Sequence, residues 1–355
     1  MSASPTASRN AFALRRAAPV VAIVGATGAV GGELLSCLER RDFPVGGLRL
    51  FASPRSAGRR LAFRGVERDV EPLDRGSFEG VDLALFSAGA GIARDWAPLA
   101  VRQGAIVIDN SSAYRMASEV PLVVPEINGA AIAQHQGIIA NPNCAAIVAA
   151  MALWPIHRRN RVVRAILATY QAASGAGVAA MAELQDATRA ALDGRDFAPR
   201  VLPHPYAFNL FSHNTPINPE TGYNGEEAKV MAETRRIFGD AELRIGVTCV
   251  RVPVLRAHAI ALTVECERPI EPDEARALLA DAPGVRLVDD AARNYFPMPS
   301  DAGGRDDVLV GRIRRDLSDP TGRSLALFAV GDQLLKGAAL NAVQIAERLL
   351  PPARV

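Results

Sequence analysis

Long apolar runs are missing from this sequence of 355 residues, and cysteine is scarce. No run approaches the roughly 18 apolar residues that a membrane span requires, so we expect no membrane contact. The four cysteines lack CxxC spacing and have no histidine partners at metal-ligand spacing, which argues against a zinc site and a disulfide framework. These absences favour a protein of the reducing cytoplasm.

An excess of one charge is missing as well. Forty basic residues face thirty-eight acidic ones, and no stretch clusters Lys and Arg with aromatic residues, so we expect no nucleic-acid partner. Hydrophobic residues, in contrast, fill 49% of the positions. A chain of this length and composition can bury a substantial core, and it most naturally divides into two domains that act on small molecules.

The N-terminal segment, residues 1–19, contains Ser and Arg and has no acidic residue. This composition is typical of an organelle transit peptide and equally of a disordered extension. Because the segment is short for a transit peptide, we expect a disordered extension, and a targeting segment remains the alternative.

From Val20 onward, short apolar stretches alternate with helix-like segments. The stretches VVAIVG, LRLFAS, VDLALFSAG and AIVIDNSS are each followed by polar or glycine-containing turns. Alternation of this kind predicts a parallel sheet covered by helices.

The first of these strands leads into a glycine-rich turn, GATGAVGG. Its glycines have the spacing GxxGxxG between a strand and a helix, so backbone amides at the helix start can approach a pyrophosphate. A tight turn without a ligand is the alternative. The residues that we assign to the dinucleotide here are Gly25, Thr27, Gly28, Ala29 and Val30.

The second strand ends in ASPRSAG and lacks the acidic residue that typically binds the ribose hydroxyls of NAD. Ser53, Arg55 and Ser56 stand there instead. Hydroxyls and a guanidinium suit a ribose 2'-phosphate, which favours NADP. A solvated loop arginine is the alternative for Arg55.

The sequence pattern changes after about residue 145. Alternate residues are apolar from Leu243 to Arg251 and from His258 to Cys266, which predicts two strands paired antiparallel. A long stretch rich in Pro and Asn, residues 199–225, is expected to carry function or an interface. The last helical pattern, LLKGAALNAVQIAERLL, is expected to return to the first sheet.

These patterns predict an α/β fold in two parts. A Rossmann-type parallel sheet domain would comprise residues 20–143 and 332–355, and an inserted α+β domain with a largely antiparallel sheet would comprise residues 144–331.

Cys144 follows the strand-breaking sequence NPN and begins an alanine-rich helix. The unpaired amides at a helix N-terminus are expected to lower the pKa of a thiol and to prepare a nucleophile. Taken alone, a cysteine beside a helix is equally compatible with packing.

From Ile23 nearly to the C-terminus, the chain resembles the aspartate-semialdehyde dehydrogenase family. The resemblance rests on nine motifs in the family's order: GATGAVG, SPRSAG, DNSSAYRM, PEIN, NPNC, TYQAASGAG, GEEAKVMAET, RVPVLRAH and KGAALNAVQIAE. It implies NADPH-dependent reduction of 4-phospho-L-aspartate to L-aspartate 4-semialdehyde through a thioester, without a metal, in the biosynthesis of lysine, threonine, methionine and isoleucine. A homodimer built through the inserted catalytic domain is also implied.

The resemblance also implies a role for each matching residue. Cys144 would be the nucleophile, Gln171 would help to position it, and His258 would be the acid/base. Arg251 would clamp the substrate's α-carboxylate. The α-ammonium and phosphate sites would be formed by Glu226, Lys229, Arg115 and Asn143. Ser174, Gly175 and Gln333 would contact the cofactor.

Three departures from the family pattern stand near these residues. Ala145 and Ala146 replace a Ser or Thr after the cysteine, Gln333 replaces an Asn, and Ala257 replaces a Gly before His258, where it could tilt the histidine. Two alternatives therefore stay open: a non-catalytic NADP-binding paralogue, and an N-acetyl-glutamyl-phosphate reductase. The joint presence of Cys144, Gln171, Arg251 and His258 argues against the first alternative.

Overall fold

A computed structural model describes residues 13–351 of the chain. Most of the extension predicted for residues 1–19 lies outside the described residues. Leu14, near its end, is buried, and its N–H donates to the carbonyl of Leu349 at 3.1 Å. This apolar side chain therefore packs against the C-terminal segment, and the disordered extension stays a prediction.

The first sheet has seven strands in the order β3-β4-β2-β1-β5-β6-β7. Every neighbouring pair is parallel except β3 with β4. The elements of this part are β1 (Val20–Val24), α1 (Ala29–Arg40), β2 (Gly47–Ala52), β3 (Arg60–Phe63), β4 (Val66–Pro72), β5 (Leu83–Phe86), α2 (Ala90–Arg102), β6 (Ile106–Asp109), α3 (Pro125–Asn128) and β7 (Ile138–Ala140).

The central strands of this sheet are buried on both faces, which explains their continuous apolar sequences. One face packs against α1 and the C-terminal segment of the chain, and the other packs against α2. The predicted parallel sheet and the return of the C-terminal helix are both confirmed.

The second sheet also has seven strands, in the order β12-β13-β14-β11-β8-β10-β9. The elements of this part are α4 (Cys144–Arg159), β8 (Val162–Gln171), α5 (Val178–Leu192), β9 (Phe211–Ser212), α6 (Gly225–Phe238), β10 (Arg244–Arg251), β11 (His258–Cys266), α7 (Pro272–Ala280), β12 (Val285–Leu287), α8 (Pro299–Ala302), β13 (Val308–Arg315) and β14 (Ser324–Gly331). Four of its six strand pairs are antiparallel, which confirms the predicted fold class.

The predicted pairing of β10 with β11 is wrong, because β8 lies between them. β10 runs parallel to β8, and β11 runs antiparallel to it on the other side. The connection at residues 252–257 crosses the carboxyl end of β8, where the Val252 N–H donates to the Gln171 carbonyl at 3.1 Å. β10 lies parallel to β8 because the chain crosses over between these two strands through the long segment that contains α5 and α6. β10 and β11 therefore do not form a hairpin.

After β14 the chain returns to the first sheet. A π-helical turn, Leu335–Ala339, precedes α9 (Leu340–Leu349), so the predicted single helix begins with an irregular turn. Such turns are frequent at functional sites. Among residues 13–351, no helix has the length and apolar character needed to cross a membrane.

Candidate active site

Three predicted site residues meet at the ends of three adjacent strands. Arg251, the last residue of β10, is the register partner of Gln171, the last residue of β8. Ala259 pairs with Tyr170 on the other side of β8, so His258 lies at the same edge of the sheet. The side chains of Gln171, Arg251 and His258 are all buried.

Cys144 is the first residue of α4, as predicted from the NPNC motif. The side chain of Asn143 caps this helix by accepting from the amides of Ala145 and Ala146 at 2.9 and 3.1 Å. The π-helical turn lies against the cysteine, since a Cβ at Gly337 would sit 2.9 Å from the Cys144 Cβ. Sequence reasoning missed Gly337, although it stands in the KGAALN motif.

Cys144 opens into a cavity of about 360 Å³ that most of the predicted site residues line. Residues predicted for the substrate and for the cofactor both contribute to it. The predicted residues in its wall are Val30, Arg115, Asn143, Gln171, Ser174, Gly175, Glu226, Lys229, Arg251 and Gln333. The fold therefore brings widely separated segments around one thiol.

The electrostatic environment of the thiol differs from our expectation. The pKa of Cys144 is raised to about 12, chiefly by burial and then by the negative charge of Glu226. Arg115 and Arg251 lower it by less. The expected lowering at the helix N-terminus is therefore outweighed, and the thiol is neutral.

His258 is held by a backbone hydrogen bond. The amide of Ala172 donates to its Nδ1 at 3.0 Å, so in the neutral ring the hydrogen is on Nε2. Nε2 is buried and has no partner among the described residues. Burial, followed by the charge of Arg251, lowers the pKa of His258 to about 3. This imidazole is neutral and presents an unused donor.

Gly175 makes room for both His258 and Arg251. A Cβ at this position would lie 3.0 Å from Nε2 of His258 and 3.2 Å from Nη1 of Arg251. Gly175 was predicted to contact the cofactor, and the structure also places it against these two side chains.

Glu226 connects several of the predicted residues. Its Oε1 accepts from Asn143 Nδ2 at 2.8 Å and from Gln171 Nε2 at 3.4 Å, and its Oε2 lies 3.7 Å from Lys229 Nζ. Glu226 and Lys229 thus lie three residues apart on one face of α6. Burial raises the pKa of Glu226, but His213, Asn143 and Lys229 lower it by more, so the carboxylate is charged.

Arg115 is fixed by a residue that sequence reasoning missed, Glu233. Glu233 Oε1 accepts from Arg115 Nη1 at 3.2 Å, and its Oε2 accepts from the Asn143 amide at 2.5 Å. Arg115 also donates to the carbonyls of Asn141 and Asn110 at 2.9 and 2.7 Å. Glu233 thus holds Arg115 and Asn143, two of the predicted phosphate ligands, beside Cys144.

The glycine-rich turn is shaped for a close ligand. Gly25 has a φ of +90°, and a Cβ there would lie 2.8 Å from the Ser87 carbonyl oxygen. A Cβ at Gly31 would overlap the carbonyls of Gly25 and Ala26. Helix α1 starts after Gly28 with no side-chain cap and no acidic residue in its first turn. The Gly28 amide donates to the Gly25 carbonyl at 3.0 Å. The amides of Ala29 and Val30, in the first turn of the helix, fit a pyrophosphate.

The residues predicted to bind the 2'-phosphate follow β2 in a short 3-10 turn, Pro54–Ser56. Ser53 and Arg55 are exposed, and no ion pair engages the Arg55 guanidinium within residues 13–351. Gly25 and Ala26 donate to the carbonyl of Phe51 at the end of the same strand, which places this turn beside the glycine-rich one.

Gln333 lies between the connection at residues 252–257 and Ser174, which is predicted to contact the cofactor. Its Oε1 accepts from the amide of Ala257 at 2.9 Å, and its Nε2 donates to the Ser174 hydroxyl. Ala257 has a φ of +74°, a left-handed conformation that is unusual for alanine. Gln333 thus fixes the strained residue that precedes His258.

Comparison with known proteins agrees with this geometry. Residues 20–135 match the family model "Semialdehyde dehydrogenase, NAD binding domain", and residues 153–336 match "Semialdehyde dehydrogenase, dimerisation domain". The chain is 53% identical over 330 residues to an aspartate-semialdehyde dehydrogenase of Synechocystis sp., covering 93% of this chain and 97% of the relative. Identity to the Bacillus subtilis enzyme of the same name is 45%, covering 93% and 96%.

A solved structure extends the likeness to three dimensions. The crystal structure of aspartate semialdehyde dehydrogenase II from Vibrio cholerae complexed with ASA superposes with a TM-score of 0.91 at 41% identity, covering 95% of this chain and 99% of that chain. Matches of this extent and identity, together with the two family models, show that the chain belongs to the aspartate-semialdehyde dehydrogenase family.

Proposed function

We propose that the protein interconverts 4-phospho-L-aspartate and L-aspartate 4-semialdehyde with NADP(H) and phosphate, through a thioester on Cys144. The observation that carries this proposal is one cavity lined by Cys144 and by three cationic side chains, Arg115, Lys229 and Arg251. Arg251 ends β10, whereas Arg115 is joined through Glu233 to Asn143, the residue before Cys144. A substrate with a carboxylate at one end and a phosphate at the other matches this arrangement.

Arg251 supplies the site for the α-carboxylate. Its Nε is buried and has no partner among the described residues, so the guanidinium retains an unused donor. Glu226 supplies a nearby charged carboxylate for the α-ammonium. These two groups favour a free amino acid over an N-acetylated substrate, whose amide carries no positive charge.

The thioester forms when the Cys144 sulfur attacks the acyl carbon of the acyl phosphate. The carbon–sulfur bond forms, the carbon–oxygen bond to phosphate breaks, and the thiol proton leaves with the departing group as hydrogen phosphate. Asn143, Lys229 and Arg115 stabilise that anion. The thiol proton therefore ends on the phosphate, and the step is balanced in atoms and charge.

His258 acts on the carbonyl oxygen. Since Nδ1 accepts from the Ala172 amide, the neutral ring donates from Nε2 and cannot also accept the thiol proton there. We propose that this donor stabilises the oxygen that becomes negative when the carbonyl is attacked. The acid/base role that the resemblance implied stays a prediction beside this one.

The cofactor site fits NADP. Bound NADPH supplies the hydride that converts the thioester to the aldehyde. The amides at the start of α1 would hold its pyrophosphate, and Ser53, Arg55 and Ser56 would hold the 2'-phosphate. The unpaired Arg55 guanidinium is the feature that favours NADP over NAD.

The deciding experiment is phosphate-dependent reduction of NADP by L-aspartate 4-semialdehyde, with wild type and Cys144→Ser compared. N-acetyl-glutamate semialdehyde is the competing substrate. We expect activity with the first aldehyde and a loss on the order of 10³-fold or more in the variant. Activity that survives in Cys144→Ser would overturn the thioester route. No activity with either aldehyde would favour the non-catalytic paralogue.

We also propose that the protein is a homodimer formed through the outer face of the second sheet. On this face Ile166 and Tyr170 of β8 remain 40% and 37% exposed, and the Tyr170 ring lies 6.4 Å from that of Phe328. Exposed apolar sheet residues are typical of an interface. The match of residues 153–336 to a dimerisation domain supports this placement.

Size-exclusion chromatography with light scattering tests the dimer. We expect a dimer for wild type and a monomer for Ile166→Arg. Leu317→Arg, at a position that is 93% exposed in a loop, is the matched control and should stay dimeric. A monomeric wild type at micromolar concentration would refute the proposal.

The cytoplasm is the compartment that we propose for this reaction. All four cysteines are free thiols in the structure, and a nucleophilic thiol needs a reducing environment. Fractionation of the producing cells with an antibody to the protein tests this assignment, and recovery in an extracytoplasmic fraction would contradict it.

A further inference from the structure

His213 is a buried histidine in the cavity wall that the proposed chemistry leaves unused. It is 7% exposed and lies in the long Pro- and Asn-rich segment between α5 and α6. Strand β9 fixes its position, because Phe211 pairs with Arg251 and the amide of His213 donates to the Cys249 carbonyl at 2.9 Å. The segment is thus joined to the strand that ends in Arg251.

The imidazole of His213 contacts the guanidinium of Arg251. Nη2 of Arg251 donates to Nε2 of His213 at 2.8 Å. A ring nitrogen that accepts from a guanidinium carries no hydrogen, so the hydrogen is on Nδ1. Nδ1 lies 3.3 Å from the hydroxyl of Thr215, which in turn accepts from the amide of Glu226 at 3.0 Å. The neutral ring therefore connects Arg251 to the start of α6.

Few other contacts fix the Arg251 head group. Nη1 donates to the carbonyl of Ala172 at 3.4 Å, which is long, and Nε has no partner among the described residues. An arginine has five N–H donors in a planar fork. The short bond to His213 fixes the rotation of that plane, while the Nε hydrogen and one hydrogen on each terminal nitrogen stay available to a ligand.

We propose that His213 is a positioning residue that holds the Arg251 guanidinium ready for the substrate's α-carboxylate and so sets the preference for an α-amino acid. This inference rests on the proposed function. If the guanidinium had to be ordered when the substrate binds, part of the binding free energy would be lost as conformational entropy. A guanidinium already held in position does not incur this loss. His213 would act through Arg251 and have no contact with the reacting carbon.

The charges around His213 keep it in the required neutral form. Arg251 faces it from β10, while Glu226 and Lys229 face it from α6. Burial, and then the charge of Arg251, lower the pKa of His213 to about 4. The acceptor on Nε2 is therefore present throughout the neutral pH range.

The test compares two aldehydes on a panel of full-length variants. L-aspartate 4-semialdehyde carries the α-carboxylate, and 3-aminopropanal is the same molecule without it. The measured quantity is the ratio of kcat/KM for the first aldehyde to that for the second. His213→Phe keeps a ring of similar volume and removes the acceptor. We expect the ratio to fall about ten-fold to a hundred-fold, with the KM values for phosphate and NADP nearly unchanged.

Two amide variants separate positioning from packing. In His213→Gln the side-chain oxygen can occupy the place of Nε2, whereas in His213→Asn it occupies the place of Nδ1. We expect Gln to restore the ratio to within about threefold of wild type and Asn to leave it low. This pair stays informative if the Phe variant does not fold. His204→Gln, at an exposed histidine of the same segment, should match wild type.

The outcomes distinguish this inference from the proposed function. A wild type that is inactive with L-aspartate 4-semialdehyde would overturn both. An active wild type would leave the function standing, and the inference would then be overturned by an unchanged ratio in His213→Phe or by rescue with Asn as complete as with Gln.

Discussion

The substrate side and the cofactor side of the site are built differently. On the substrate side, buried polar groups from distant segments bond to one another, as Glu233 does to Arg115 and to the amide of Asn143. On the cofactor side, Ser53 and Arg55 are exposed, and Arg55 has no ion-pair partner within the described residues. The first side is organised by contacts within the protein, whereas the second leaves its polar side chains open to solvent and to a ligand.

The two sides are joined at Arg256. Its guanidinium lies 2.7 Å from Glu33 of α1 and 2.6 Å from Asp332, next to Gln333. Because α1 begins at the glycine-rich turn and Arg256 precedes His258 by two residues, this ion-pair cluster fixes one side relative to the other. The comparison therefore predicts three classes of mutational effect: on stability, on cofactor choice, and at the junction.

The largest effect is expected from Glu233→Gln on the substrate side. The amide cannot accept from both Arg115 and the Asn143 N–H, and it leaves the charge of Arg115 buried without compensation. Breaking a buried ion pair in this way costs about 3 to 5 kcal/mol. We expect a lower denaturation midpoint and a higher KM for phosphate.

Asp186→Asn is the control for Glu233→Gln. Asp186 pairs with Arg189 on the surface of α5, with side chains 62% and 68% exposed, so its loss should cost about 0.5 kcal/mol or less. Denaturant unfolding of both variants measures the difference. Equal stability of the two variants would mean that the substrate side is not held together before the ligand binds.

An intermediate effect is expected from Arg55→Ala on the cofactor side. The side chain has no intramolecular ion pair to lose, so stability should not change. A charge-assisted bond to the 2'-phosphate is worth about 1.5 to 3 kcal/mol, which corresponds to a KM for NADP higher by about ten-fold to a hundred-fold. The KM for NAD should stay within about twofold, since NAD lacks that phosphate.

Arg68→Ala, at another exposed position of the same domain, controls for the removal of a surface charge. Steady-state kinetics with both cofactors gives the comparison. If Arg55→Ala raises the KM for NAD and the KM for NADP equally, the assignment of Arg55 to the 2'-phosphate is incorrect. Arg55 would then not determine the choice of cofactor.

The sequence predicted those parts of the site that follow from local geometry. The glycine-rich turn, the placement of Cys144 at a helix start and the pairing of Glu226 with Lys229 each depend on residues within about one or two helical turns. The position of Arg251 and His258 at one sheet edge was also predictable from the ends of two strands. Their arrangement around β8 was not, because only the crossover decides which strand lies between them.

The contacts missed by sequence reasoning connect residues that lie far apart in the chain. Glu233 and Arg115 are separated by 118 positions, and Arg251 and His213 by 38. A signal for Glu233 was present, since it stands seven residues after Glu226 and so shares its helical face. The raised pKa of Cys144 was equally out of reach, because it depends on burial by segments that meet only in the folded protein.

The smallest effect is expected at the junction, from Ala257→Gly. The left-handed conformation of Ala257 costs an alanine about 1 to 2 kcal/mol, which glycine would recover. Against this gain, glycine loses a buried methyl worth about 0.8 kcal/mol and adds about 0.5 to 1 kcal/mol of unfolded-state entropy. The terms nearly cancel, so the free energy of unfolding should change by less than about 1 kcal/mol.

His258 should also keep its place in Ala257→Gly, because the Ala172 amide holds its Nδ1 independently of the residue before it. We therefore expect kcat within about threefold of wild type. A tenfold change in kcat at unaltered stability would show instead that the alanine, and not the hydrogen bonds across the junction, sets the tilt of the histidine.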